Sequence, residues 1–191
     1  MPDHWSHERD WSTFPEWQRP SDEIDDFLSC EFSVGRQFMV RLTDGADPVI
    51  ALANFAKKKN IRFANVHNCS HGTMNPTRYN IWIYDYNDPE HWNLEGPAVN
   101  NNNTMLCALS GMISMRSDGK GGEEPFAAVH FVSGGCWDSG TICGHLLEGS
   151  RVRGTWQVVV SEVLGVEQLN PNDFMGPDYK FPPNWFRELK G

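Results

Sequence analysis

Thr141–Ser150 read TICGHLLEGS, an apolar run that carries one imidazole before it ends in Leu-Leu-Glu-Gly. Thr141 to Leu147 has strand character. Upstream, Phe126 to Val132 (FAAVHFV) does too, and SGGCWDSG between them is rich in turn residues. Paired as a hairpin with a symmetric loop centred between Trp137 and Asp138, the two strands place His130 opposite His145. Residues paired across an antiparallel ladder hold their Cβ atoms about 4.5–5.5 Å apart. Ala128, Val132, Cys143 and Leu147 fall on the same face, because faces alternate by two. A bulge in the glycine-rich loop would send His130 to the other face.

Two neutral imidazoles at that separation can share a divalent cation (zinc, manganese or iron), act as general acid and base, or donate to structural acceptors. All three roles stay open on the residues alone. Further donors lie in VHNCSH, where His67, Cys69 and His71 are spaced by two. In a loop over the same sheet end, His67 would be the third metal ligand and His71 a third catalytic imidazole. Glu148 is the nearest candidate carboxylate, although alternation points it away from His145 unless the strand bends; Glu162 is the other. Trp82, Tyr84, Trp137 and Trp156 can line an apolar substrate pocket. No phosphate loop follows a strand, so no nucleotide cofactor is expected, and there is no G-x-S-x-G elbow.

Around the hairpin, Gln37–Leu42 alternates as a strand. Asp47-Pro48 opens a helix that Lys57-Lys58-Lys59 closes. Ile61–Val66 reads as the next strand, followed by a polar loop, and Tyr79–Tyr86 as another. Glu95–Asn103 reads as loop. Thr104–Met115 reads as a long strand bent at Gly111, and Gly154–Leu164 as the last. The order predicts an α+β domain, a largely antiparallel sheet with one main helix on a face. Residues 1–35 form an aromatic and acidic extension, 36–166 the domain, and 167–191 an irregular tail packed on it.

With 191 residues the chain can build a sizeable core, and eight tryptophans argue against general disorder. A formal charge of −9 opposes phosphate backbones, so direct nucleic-acid binding is not expected. No apolar run is long enough for a membrane helix, and MPDHWSHERDW lacks the apolar core of a signal peptide. Five cysteines in no metal-finger spacing read as reduced thiols, hence a cytoplasmic location.

Four blocks taken together resemble the plants and prokaryotes conserved (PPC) domain. They are RLTDGADPVIALANFAKKKNIRFANV, LSGMIS at Leu109–Ser114, PFAAVHFVS at Pro125–Ser133 and GHLLEG at Gly144–Gly149. The resemblance runs from Arg36 to Val166. It implies a compact α+β fold, a homotrimer, and histidines gathered near a subunit boundary. Family members often carry His-x-His before the hairpin and Gly-Gly-His after it. Here Ala128 stands at the first position and His130 keeps the second. Cys143 replaces the first glycine and His145 stays, so His67, His71 or Cys143 would have to complete a metal site. Plant members bind DNA through an Arg-Gly-Arg-Pro hook, which this sequence lacks.

Two functions follow as expectations. The first is a small-molecule enzyme of lyase, cyclase or hydrolase type, carrying out dehydration, decarboxylation, cyclisation or hydrolysis of an oxygenated organic substrate. It would use the histidine cluster, with or without a divalent metal. The alternative is a non-catalytic homotrimeric interaction or regulatory module.

Overall fold

A computed structural model describes residues 31–69, 72–84, 92–135, 140–168 and 186–188. His71, Trp137, the extension before residue 31 and most of the tail lie outside the described residues. The elements are β1 (Ser33–Leu42), α1 (Pro48–Lys59), β2 (Ala64–Cys69), β3 (Thr73–Met74), β4 (Thr77–Tyr84), β5 (Trp92–Asn100), β6 (Thr104–Ser117) and β7 (Glu123–Gly135). They continue with β8 (Ile142–Leu146), β9 (Val152–Arg153), β10 (Trp156–Leu164), β11 (Val166–Gln168) and β12 (Phe186–Glu188). One ten-stranded antiparallel sheet follows the order β1-β10-β2-β6-β7-β8-β4-β5, with β3 and β9 pairing off that path; β11 and β12 pair separately.

The helix packs on one sheet face. Val49, Leu52 and Ala56 line its buried side and meet Val66, Leu109, Ile113, Ala127, Val129, Phe131, Leu146, Val158 and Val160. Alternation along each strand leaves the other face open. It carries the odd-numbered residues of β2 and the even-numbered ones of β7.

Both helix ends obey local chemistry. At the start, the Asp47 side chain accepts from Val49 N and Ile50 N, and Pro48 fills the first helical position. At the end, Asn60 adopts the left-handed conformation, with φ 52°. Ile61 N then donates to Ala56 O at 3.0 Å, and the Ile61 side chain is buried. Its apolar character therefore belongs to the helix stop, and β2 begins at Ala64 rather than at Ile61.

One further expectation is corrected. Residues 95–100 are strand, not loop, because β5 pairs along β4 from Trp92↔Tyr84 to Asn100↔Thr77. The ladder between β6 and β7 shifts register between Leu106 and Ala108, and Gly111 holds a φ of 157° where an added Cβ would stand 2.2 Å from Ala128 O.

Asp47 also reaches beyond its helix. Its Oδ2 accepts from Gly149 N at 2.6 Å and from Arg151 Nη1 at 2.8 Å, and the side chain is 7% exposed. One nearly buried carboxylate thus fixes the helix start against the turn that follows β8. Asp47→Ala leaves four N–H donors without this acceptor. It should cost about 3 kcal/mol of stability, much of it from unsatisfied backbone N–H groups. Asp47→Asn keeps one oxygen for the helix cap but puts an NH2 donor where Oδ2 accepts from Gly149 N and Arg151 Nη1, so it loses both of those bonds and should cost about 2 kcal/mol, less than the alanine variant. Urea denaturation midpoints of the two variants, at unchanged slope, check the difference.

Candidate functional site

β7 and β8 pair through His130↔His145, Phe131↔Gly144, Val132↔Cys143 and Ser133↔Ile142. The two imidazoles stand with ring centroids 5.0 Å apart at an interplanar angle of 71°. They belong to a row that crosses the open face strand by strand: Met39, Val159, His67, Ser110, His130, His145 and Asn80. Each is the cross-strand partner of the next, so their side chains share one face.

Protein atoms displace water from both rings. Desolvation lowers the pKa of His130 even though much of that residue remains open. His145 is the more enclosed. Desolvation first, and then the neighbouring His130, push it down to about 4. Near neutral pH both rings are uncharged, so each offers one N–H donor and one lone pair. Such a pair can accept a proton at one ring and deliver one from the other.

His67 lies in β2 rather than in a loop, and its Nε2 is 2.9 Å from Ser161 Oγ. Strand β6, with Ser110, stands between it and His130, so two strand spacings, roughly 10 Å, separate their backbones. Among the described residues no three His, Cys, Asp or Glu side chains converge on a metal position. The donor set is the two-imidazole pair, short of the three or four protein ligands of a zinc centre. The described residues of one chain therefore do not fit a resident divalent metal with His67 as third ligand.

Glu148 lies past the end of β8 and is exposed. The strand stops at Leu146, and the turn brings Glu148 into the lining of the same cavity as His145. That cavity is about 320 Å³ and is bounded also by Val49, Arg78, Phe126, Leu146 and Leu147. Glu162 is committed elsewhere. Arg36 Nε and Nη2 donate to its two oxygens at 2.7 and 2.8 Å, holding its carboxyl below the usual carboxylate range.

Trp156 is fully buried in the core, and its indole N–H donates to Thr73 O at 3.1 Å. It therefore cannot line an open pocket as the sequence suggested. Trp82 and Tyr84 occupy β4, next to the sheet-edge strand β5. Sequence reasoning missed Ser110, Asn80 and Arg78. The first two follow only when the His130–His145 register is extended across β6 and β4, and Arg78 only when the turn after β8 is folded.

GHLLEG is explained by what its glycines touch. A Cβ on Gly144 would stand 2.5 Å from Asn80 O, and one on Gly149 (φ +94°) 2.7 Å from Arg78 Nη1. The glycines seat β4 against the hairpin.

The profile of the Plants and Prokaryotes Conserved (PCC) domain matches residues 30–164. Solved structures share the fold. A plant- and prokaryote-conserved protein of Pyrococcus horikoshii is 19% identical with a TM-score of 0.60, covering 86% of this chain and 99% of its own. A metal-containing protein of Archaeoglobus fulgidus is 21% identical with a TM-score of 0.59, covering 86% and 100%. A Bacteroides thetaiotaomicron protein, provisionally called DNA-binding, is 17% identical with a TM-score of 0.51, covering 78% and 94%. No curated protein sequence matches.

The depressed pKa of His145 has a thermodynamic consequence. The unfolded chain takes up a proton near pH 6.5, while folded His145 resists it until about 4. Between these values the unfolded state binds more protons, so stability falls as pH falls, by up to about 1.4 kcal/mol per pH unit. His145→Asn should flatten this slope. Urea midpoints of wild type and variant at pH 7 and pH 4.5 measure it.

Proposed function

The chain belongs to the Plants and Prokaryotes Conserved domain family, and from its open sheet face we propose a small-molecule site in which His130 and His145 exchange protons with a bound substrate. The observation that carries this reading is the facing pair, 5.0 Å between ring centroids, with both rings neutral at physiological pH and His145 opening onto a cavity. One ring acts as general base and the other as general acid. Desolvation keeps both rings unprotonated and so ready to accept, and it makes His145 in particular give a proton back rather than keep it. The supported reaction class is dehydration, decarboxylation, cyclisation or hydrolysis of an oxygenated organic acid. Glu148 at the cavity rim polarises or orients the substrate.

A divalent metal is the competing use of the same pair, favoured by the metal-containing relative from Archaeoglobus fulgidus. The two-donor set argues for the metal-free use. Elemental analysis of protein purified without a His tag should find well under one zinc, manganese or iron per chain. About one equivalent, lost in His145→Asn, would replace the metal-free reading.

The second functional reading is a homotrimeric module without chemistry. It is favoured by the exposed Met39, Met105 and Val132, which could meet other copies. The discriminating experiment incubates the full chain with a panel of 3-hydroxy and 3-oxo acids and reads products by mass spectrometry. Turnover that drops roughly a hundredfold or more in His130→Asn and in His145→Asn, at near-native melting temperature, supports the catalytic reading. Absence of turnover together with a trimer in sedimentation equilibrium supports the module. The same preparation should show no retention of duplex DNA at moderate salt, given the net charge of −9.

A further inference from the structure

Where β8 ends, the chain swings away from β7 toward β4, and the cavity beside His145 opens in that notch. Its walls are mostly apolar: Val49 from the helix start, Phe126 from β7, Leu146 from the end of β8 and Leu147 from the turn. Into this setting β4 sends Arg78. Among the described residues its guanidinium donates to a main-chain acceptor, Glu148 O, at 3.2 Å from Nη1. No carboxylate among the described residues pairs with it, whereas Arg36, Arg62, Arg116 and Arg151 each hold one. Its seat is built into the turn. A side chain at Gly149 would collide with Arg78 Nη1 and Cδ, at 2.7 and 2.8 Å. Arg78 is thus held in place, half-buried, with guanidinium donors that no other described residue takes up.

We propose that this cavity is the binding site for a small monocarboxylic acid with an apolar body, its carboxylate held by Arg78 and its hydrocarbon part against Val49, Phe126 and Leu147. A planar guanidinium matches a carboxylate with paired N–H donors, and a charge-assisted bond of this kind is stronger than a neutral one. The volume of about 320 Å³ lies at the small end of ligand cavities, which limits the body to about the size of an aryl or short alkyl group. Glu148 at the rim disfavours a second carboxylate on the ligand, and His145 in the lining provides a hydrogen-bonding partner for a hydroxyl or carbonyl. This selects the substrate class within the small-molecule reading above, and it rests on that reading for its functional meaning.

Calorimetry on the full chain tests it with phenylacetate, 2-phenylethanol and phenylsuccinate. Phenylacetate should bind, with the neutral alcohol and the dicarboxylate each weaker by roughly tenfold or more. Arg78→Gln should lose roughly tenfold or more of the phenylacetate affinity at a near-native melting temperature, and Arg78→Lys should retain part of it. Glu148→Gln should admit phenylsuccinate more tightly, and it keeps the main-chain oxygen that Arg78 uses. If Arg78→Gln is poorly folded, the Glu148→Gln gain is the deciding result. Phenylacetate binding that is absent at millimolar concentration, equal to that of the alcohol, or unchanged in folded Arg78→Gln overturns the proposal. Turnover of the acid panel without phenylacetate binding sinks the Arg78 site alone. Arg78-dependent binding with no turnover sinks the catalytic reading alone.

Discussion

Asp47 holds together two parts of the chain that are about a hundred residues apart in sequence. A helix start needs an acceptor for its first N–H groups, and the turn after β8 needs one for Gly149 N. The same carboxylate serves both. Arg151 balances its charge, which a nearly buried carboxylate requires. With the helix start pinned to this turn, Val49 sits over the notch where β8 ends, and the cavity has its third wall. The candidate site therefore depends on a capping interaction that takes no part in its chemistry.

The division of the sheet into two faces explains why the histidines are available at all. Val66, Val129 and Leu146 face the helix and make the core. Shifting by one residue along each strand gives His67, His130 and His145 on the other side. A polar row can cross the sheet there without disturbing packing. The cost of placing imidazoles on that face is small while they remain neutral, and desolvation keeps them so. The property that makes them compatible with the fold is also the one that makes them useful for proton transfer.

The helix was legible because Asp-Pro and the lysines mark its ends by local chemistry. The hairpin was legible because a symmetric loop fixes the register of residues 130 and 145. Other features depend on contacts distant in sequence. Ile61 looks like the start of a strand until its backbone N–H is found to return to Ala56. Residues 95–100 look like a loop because Gly, Pro and Asn are poor strand formers, and β4 recruits them nonetheless. Trp156 looks like a pocket aromatic, but its alternation phase turns it inward, toward Thr73. His67 looks like a loop residue because the sequence after it is polar; β10 and β6 on either side make it a strand residue.

The two glycines of GHLLEG give the motif an unequal tolerance to change. His145 projects from the open face, between His130 and Asn80. Gly144 and Gly149 lie under β4, where added carbon meets Asn80 O or the Arg78 guanidinium. Added carbon at Gly144 presses on the backbone of β4, whereas at Gly149 it strains a turn of positive φ and pushes the Arg78 side chain from its seat. The signature by which such a chain is recognised is therefore first a record of how its backbone fits together. Two proteins can share it while acting on different molecules, or on none.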